Sequence, residues 1–437
     1  MKVKSCKIKI ITLGCSKNIV DSEFLTAQLS ANNMEITGSD KKADVVIINT
    51  CGFINDAKKE SVNTILKAVA NKLNGKLKKV IVAGCLVERY ITELKKEIPE
   101  IDKLVGTVDN RKNLKNLLNE VDADYIKELA GERVLTAPSH FSYLKISEGC
   151  DRKCSFCVIP QIRGRHRSKK LHVILNEAKL LAEKDVRELI IIAQDSTYWG
   201  KDIYGKRKLG MLLSKLSEIK NFKWIRIMYA YPSGFPQDVI SVMKHSENIC
   251  RYIDIPIQHI SDNVLKRMKR GTTSKTIINL LEKLRKEIPD IAIRTTLLLG
   301  HPGETEKDFE ELLNFIGEFK FDRLGTFIYS DEEGTPSFNL RNKIPQKEKL
   351  LRQKLIHNAQ REISYNNNMK EIEKVYEVLI DGKEKNYYTG RTYKDAPEVD
   401  QQVVISKNKK NRNIEIGKFY NVGICDFEEF DLFGKIL

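Results

Sequence analysis

The sequence predicts an α/β protein with three parts: an N-terminal doubly wound parallel sheet, a central partial (β/α)6 barrel and a small all-β C-terminal domain. Three observations predict it. Residues 1 to about 135 alternate β-branched runs with helix-like stretches, and residues 136 to about 345 repeat that alternation six times. Residues 374–437 break into short strand-like runs between turn signals. The 437 residues are ample for several buried cores, and 41% apolar with 31% charged residues excludes collagenous, mucin-like and wholly disordered chains. No apolar run approaches the roughly 20 residues of a membrane span. Residues 1–9 alternate Lys with small and apolar residues and hold no apolar signal region, so a cytosolic protein is expected.

In the first domain (1–135) the strand signals are Lys7–Leu13, Ala43–Thr50 and Lys78–Gly84. Helical patterns fall at Val20–Ala31, Ala57–Asn71 and Glu88–Glu97. Each strand runs into a cysteine with a glycine beside it: Leu13-Gly14-Cys15, Thr50-Cys51-Gly52 and Ala83-Gly84-Cys85. In an open α/β sheet the carboxyl ends of strands share one rim, where ligands bind. Three thiols far apart in sequence are therefore expected to meet, with glycine letting the backbone approach a bulky group. Lys17, Asp21 and Glu23 are placed to shape the first cysteine loop, with helix capping the simpler reading of Asp21.

The central domain (136–372) has strand signals at Tyr143–Ser147, Glu188–Gln194, Trp224–Ala230, Tyr252–Pro256, Ile291–Leu299 and Arg323–Ser330. A full eight-unit barrel would need more chain, so a partial barrel with chemistry at its carboxyl strand ends is expected. Gln194, Asp195, Arg226, Gln258, His259 and Arg294 lie at or near those ends and are candidate contacts for a cofactor or substrate. For the two arginines a structural salt bridge is an equal reading. Gln346–Ile372 reads as a linking helix. The last domain (373–437) reads as a small β-barrel or sandwich, with turn signals at Asp381-Gly382 and Asn408–Asn411.

Nine cysteines are too sparse for a disulfide scaffold. Three form Cys150-x3-Cys154-x2-Cys157 directly after the first barrel strand, with Glu148 and Gly149 shaping the loop. Three thiolates on one tight loop can hold three irons of a 4Fe–4S cluster and leave the fourth open, whereas structural zinc normally takes four ligands. Cys6, Cys250 and Cys425 have no motif around them and read as small buried hydrophobes or incidental thiols.

The triplet, with Phe156 in the aromatic position before the third cysteine, resembles the radical S-adenosylmethionine enzymes. Its combination with Cys15, Cys51 and Cys85 resembles the methylthiotransferases among them. Further stretches match: Ile192-Ala193-Gln194-Asp195, Asp254-Ile255-Pro256-Ile257-Gln258-His259, Met268-Lys269-Arg270-Gly271, Gly300-His301-Pro302-Gly303-Glu304-Thr305 and Tyr329-Ser330-Asp331-Glu332-Glu333-Gly334-Thr335. His301 departs from the aromatic or apolar residue expected there. The resemblance implies two 4Fe–4S clusters, one on each cysteine trio, and S-adenosylmethionine, whose amino and carboxylate groups bind the open iron of the loop cluster. Phe156, Gln194, Asp195, Gln258 and His259 become candidate cofactor contacts. It further implies that one S-adenosylmethionine gives a methyl group to a sulfur at the N-terminal cluster. A second gives a 5′-deoxyadenosyl radical that removes hydrogen from an unactivated carbon. The cofactors carry this chemistry and the protein orients it. An electron donor such as flavodoxin or ferredoxin is implied.

Two stretches bear on the substrate. Thr12-Leu13-Gly14-Cys15-Ser16-Lys17-Asn18-Ile19-Val20-Asp21-Ser22-Glu23 resembles the branch that modifies an aspartate β-carbon of small-subunit ribosomal protein number twelve. So do Gly390-Arg391-Thr392, Asp395 to Asp400 and the closing Phe430-Asp431-Leu432-Phe433-Gly434. The alternative is the branch acting on a transfer RNA adenosine next to the anticodon. Net charge is +16, yet residues 371–437 hold 11 Lys and Arg against 13 Asp and Glu. That domain stands where the family carries an RNA-binding TRAM module, which should be basic to neutralise phosphates. A slightly acidic one, with Asp426, Glu428, Glu429 and Asp431 near its end, suits a basic protein partner. The basic remainder is available for ribosomal RNA. A non-catalytic iron–sulfur or zinc protein that binds RNA would explain the charge and cysteines, but not six βα units.

Overall fold

A computed structural model describes residues 6–39, 41–129, 131–136, 138–407 and 413–437. The turn signal at Asn408–Asn411 and the first five residues of the amino-terminal stretch lie outside the described residues. The chain forms two compact units, one of Met1–Ala137, Tyr143–Asp151 and Val158–Leu180, the other of Pro138–Ser142, Arg152–Cys157 and Leu181–Leu437.

The first unit carries β1 (Lys7–Thr12), β2 (Glu35–Ile36), β3 (Val45–Thr50), β4 (Lys79–Gly84) and β5 (Lys103–Val105). They form a parallel sheet ordered β2-β1-β3-β4-β5. Every residue of β3 is buried, because helices cover both faces and the strand can be apolar throughout. Val45 and Ile47 pack with Leu25, Leu29, Leu114 and Leu117 on one face, while Val46 and Ile48 pack with Ile65, Ala68 and Val69 on the other. The strands β2 and β5 are too short for a period-two signal, and the sequence pattern did not announce them. Nor did it announce the helix Arg111–Asn119, capped by the Asn110 side chain accepting from Lys112 N.

In chain order β6 (Phe141–Lys145), β7 (Ser147–Glu148) and β8 (Arg167–Ser168) come next. β7 and β8 pair antiparallel within the first unit. The short helix Ile159–Arg163 also belongs there. The larger sheet adds β9 (Glu188–Ile192), β10 (Trp224–Ile227), β11 (Ile249–Asp254), β12 (Ala292–Leu299) and β13 (Arg323–Ile328). Its order, β13-β12-β11-β10-β9-β6, is the chain order reversed, so each βα unit lies beside the last. This is the partial six-strand arrangement expected.

The helix Gln346–Met369 is more than a link. Its buried face is largely polar and packs along β13: Lys349 Nζ donates to Tyr329 O (3.0 Å), Gln353 Nε2 to Thr326 Oγ1 (3.0 Å) and Gln360 Nε2 to Phe321 O (3.0 Å). After it, β14 (Val375–Lys383), β15 (Tyr387–Arg391), β16 (Gln402–Ser406), β17 (Phe419–Phe427) and β18 (Asp431–Ile436) close a five-stranded barrel. Val378, Ile380, Tyr388, Val403, Ile405, Val422 and Leu432 fill it.

Buried ion pairs join this barrel to the larger sheet, and they account for both candidate arginines. Arg226 Nε meets Glu188 (2.6 Å) and its Nη1 donates to Tyr393 O (2.7 Å). Arg391 meets Glu188 (2.8 Å) and Asp381 (2.7 Å). Arg294 bridges Asp254 (3.0 Å) and Asp400 (3.2 Å). Arg323 meets Asp395. Arg226 and Arg294 therefore hold the two parts of this unit together, the structural of the two readings. Among the described residues no helix is long and apolar enough to cross a membrane.

Candidate metal centres

In the first unit the three cysteines follow adjacent strands. Thr50 of β3 stands in register with Gly84 of β4, so Cys51 and Cys85 leave the sheet side by side. Cys15 follows β1, the other neighbour of β3, and occupies the N-cap position of the helix Ser16–Ala31. Two glycines bring the loops together. A Cβ on Gly14, whose φ is +90°, would lie 2.7 Å from Cys51 Cβ and 2.9 Å from its Sγ. A Cβ on Gly52 would lie 2.8 Å from the backbone N of Leu86. Asn18 ties the first two loops, donating to Leu13 O (2.7 Å) and Thr50 O (3.1 Å). Ser61 holds Cys51 from both sides, accepting from its N–H (3.1 Å) and donating to its carbonyl (2.9 Å).

Cys15 is exposed, while Cys51 and Cys85 are buried. Burial raises the thiol of Cys51 and pushes that of Cys85 up to about 12, although the Arg163 guanidinium draws the latter down. Thiolate ligands are therefore formed only as a cation takes the place of the proton. Arg163 Nη2 lies 3.4 Å from Cys85 Sγ and 2.6 Å from Asn18 Oδ1. Its Nη1 meets Asp21 (2.8 Å), Asp109 (3.2 Å) and Glu148 (3.3 Å). Lys145 pairs with Asp21 and, at 2.7 Å, with Glu148. Asp21 thus serves an ion network and caps no helix. Glu23 binds Thr136 N (2.9 Å) and Arg133 (3.4 Å), so it fixes the chain after the first domain signal rather than the cysteine loop. Asp21, Asp109 and Glu148 come close enough to suggest a cation site, but Lys145 and Arg163 already fill that role.

The second trio divides between the units. Cys150 belongs to the first, where its N–H donates to Gly164 O (3.1 Å). Cys154 and Cys157 belong to the second, and the Cys157 N–H donates to Cys154 O (3.2 Å). Around Cys154 gather Tyr231, beyond the end of β10, and Arg270, just past the helix Asp262–Arg267. Tyr231 Oη is 3.6 Å and Arg270 Nη1 3.5 Å from Cys154 Sγ. The Tyr231 ring is sandwiched between two guanidinium groups, Arg152 at 3.9 Å and Arg270 at 4.1 Å. Burial raises the Tyr231 hydroxyl, so it stays a neutral donor.

Each remaining candidate has a definite place. Asp195 meets Arg152 at 2.8 Å through one oxygen and receives Thr197 N through the other. Gln194 follows β9 and is half-buried. Gln258 stands beyond β11 with φ +72° and pairs with Leu297 of β12, a backbone state that a non-glycine residue holds only when its surroundings enforce it. Phe156 packs against Val264, Met268, Leu298 and Tyr329 and so anchors the loop. His259 is fully buried, accepts Ser261 N at Nδ1 (3.0 Å), and burial lowers it to about 3, leaving it neutral. His301 is also buried and neutral; its Nε2 reaches Ser155 Oγ (3.2 Å) and Ser337 Oγ (3.0 Å). The departure from an aromatic residue thus gives the cysteine loop a polar tether.

The donor sets suit the clusters the sequence implied. The first set follows three neighbouring strand ends, where Gly14 and Gly52 clear the space a Cβ would fill, and Cys154 and Cys157 sit on one tight turn. Of the other cysteines, Cys250 is buried, Cys6 packs against the first core and Cys425 is exposed.

The chain is similar to known proteins along nearly its whole length. Residues 7–106 match the model of "Uncharacterized protein family UPF0004", residues 144–316 that of the radical SAM superfamily, and residues 372–437 that of the TRAM domain. Over 433 residues the chain is 50% identical to the ribosomal protein uS12 methylthiotransferase RimO of Cytophaga hutchinsonii, covering 99% of this chain and 98% of that one. It is 48% identical to the protein of the same name from Christiangramia forsetii, covering 100% of this chain and 96% of that one. Among solved structures it is similar to the radical S-adenosylmethionine methyltransferase TsrM of Kitasatospora setae, with a TM-score of 0.57 at 14% identity over 76% of this chain and 77% of that one. That likeness concerns the fold alone.

Proposed function

The chain belongs to the ribosomal protein uS12 methylthiotransferases, and from that membership we propose that it joins a methylthio group to the β-carbon of an aspartate of uS12. It is a transferase of the radical S-adenosylmethionine class. The transfer RNA alternative is not favoured, since the relatives at 48–50% identity over nearly the whole chain carry the uS12 name. The observation that carries the reading is the pair of cysteine trios, one at three adjacent strand ends and one on the loop after β6.

Cys15, Cys51 and Cys85 would hold one 4Fe–4S cluster and Cys150, Cys154 and Cys157 the other. When bound, the clusters and S-adenosylmethionine supply methyl donation and the radical that removes hydrogen from the substrate carbon. The residues of the chain do the rest. Asn18, Gly14 and Gly52 fix the first trio. Phe156, Ser155 and His301 fix the second loop against the strand ends. Tyr231, Arg152 and Asp195 form a rigid polar wall beside Cys154, suited to the amino and carboxylate groups of S-adenosylmethionine. Gln194 and Gln258 stand on the same strand ends and are candidates for its remaining polar contacts. His259, neutral and enclosed, supports that end of the sheet. The protein works in the cytoplasm with a low-potential electron donor such as flavodoxin or ferredoxin, and its basic surface touches ribosomal RNA.

The test is anaerobic reconstitution with iron and sulfide, followed by incubation with S-adenosylmethionine, reductant and uS12. Expected are 5′-deoxyadenosine and a mass gain of one methylthio group on a single aspartate. Modification of transfer RNA instead, or material that binds only zinc, would overturn the proposal.

A further inference from the structure

Two residues lie between Cys154 and Cys157, and both are clamped. Every polar group of Ser155 is taken. Its N–H donates to Met268 O (2.9 Å), and its carbonyl accepts from Ser337 N (2.8 Å). Its hydroxyl donates to Arg267 O (2.8 Å) and accepts from the Ser337 hydroxyl (2.8 Å). Both hydroxyl hydrogens are then spent. His301 Nε2, 3.2 Å from Ser155 Oγ and 3.0 Å from Ser337 Oγ, is therefore the donor to the pair. Phe156 packs against Tyr329, whose ring meets that of His301 edge to face at 5.5 Å. His301 is itself anchored. Its N–H and that of Gly300 donate to Glu304 Oε2 (3.3 and 2.8 Å). Glu304 Oε1 pairs at 2.6 Å with Arg352, on the helix Gln346–Met369. Ser155, His301, Glu304, Ser337 and Arg352 all belong to the second unit.

A buried hydrogen-bond network whose members are satisfied makes its surroundings rigid. Groups behind metal ligands orient those ligands and raise the hold on the metal. An apolar ring at position 301 could pack on Tyr329 but could not donate to either serine. From this clamp we infer that His301, together with Ser337, is a positioning residue for the cysteine loop: the pair fixes the Cys154–Cys157 turn and slows the loss of iron from it. Glu304 and Arg352 hold His301 in place, so the long helix bears on the turn through two side chains. The inference rests on the reading that this loop holds a cluster. It goes beyond that reading by naming what keeps two of the three thiols in place.

The experiment measures how fast a chelator strips iron from the reconstituted full chain. A chain with Cys15, Cys51 and Cys85 changed to alanine identifies the phase that belongs to the loop cluster. His301→Phe, which keeps a ring and removes the donor, should speed that phase about tenfold, equal to ~1.4 kcal/mol and the worth of one hydrogen bond. It should also broaden the electron paramagnetic resonance signal of the reduced loop cluster and leave the N-terminal phase unchanged. His301→Gln, whose amide N–H can stand in for Nε2, should restore both readings. Ser337→Ala removes a hydroxyl from the same clamp and should speed the loop phase as well, which keeps the test open if His301→Phe does not fold. Iron loss at the parent rate in every changed chain that folds, or equal impairment by Phe and Gln, would overturn the inference. Zinc, or no cluster on the loop of the unchanged chain, would instead overturn the cluster reading on which it rests.

Discussion

A missing methyl group decides whether the N-terminal trio can assemble. At Gly14 a Cβ would overlap Cys51, and the positive φ already disfavours any other residue. Gly14→Ala is therefore expected to lose about four irons per chain, the content of one cluster, while the loop cluster stays. Iron analysis beside the spectrum of the loop cluster checks it. His259 makes a different statement, about pH. An unfolded histidine binds a proton near pH 6.5, but burial holds the folded one down at about 3. Between those values the unfolded chain binds a proton that the folded chain does not. Stability is full above about pH 6.5 and falls by about 1.4 kcal/mol for each unit of acidification below it. Asn can still accept from Ser261 N, so His259→Asn should remove that share of the slope. Urea titrations at pH 6.5 and 5.5 measure it.

At the scale of elements, the strands and their cysteines were legible because they are local. A β-branched run ends, a glycine and a cysteine follow, and the pattern repeats. Gln194, Asp195 and Gln258 were legible in the same way, as the residues just past strand ends. Arg163 was not, and Arg270 stood only inside the matching stretch Met268–Gly271 with no role attached to it. Their cysteine partners are 78 and 116 residues away, and nothing beside them in sequence announces the contact. The same holds for the polar face of the helix Gln346–Met369, which reads as exposed linker until β13 is seen beneath it. The ion pairs between the larger sheet and the C-terminal barrel show what such long-range partners do. Arg226→Met leaves buried Glu188 with only Arg391, and removing one partner of a buried pair costs about 3–5 kcal/mol. Denaturant unfolding should show that loss. A chain cut at residue 373 would expose several such charges at once. The expectation that the slightly acidic C-terminal domain suits a basic protein partner is better probed with charge reversals at the exposed Asp426 and Glu428, which should weaken uS12 binding.

Across the whole molecule, the compact units do not follow the chain in two simple pieces. The first unit reaches past residue 135 to take in Lys145, Glu148 and Arg163. A fragment of residues 1–135 keeps Asp21 and Asp109 but lacks both cations that face them. It is expected to show no cooperative urea transition, whereas residues 1–180 should show one by circular dichroism. The same threading bears on how the protein comes into being. Synthesis runs from the amino terminus, and domains generally fold as they emerge. Here the earliest segment still lacks both of its buried cations when its own last strand leaves the ribosome. Lys145 follows later, and Arg163 only just after the third cysteine of the loop. The guanidinium that reaches Cys85 and Asn18 is thus made after all six cysteines of the two trios.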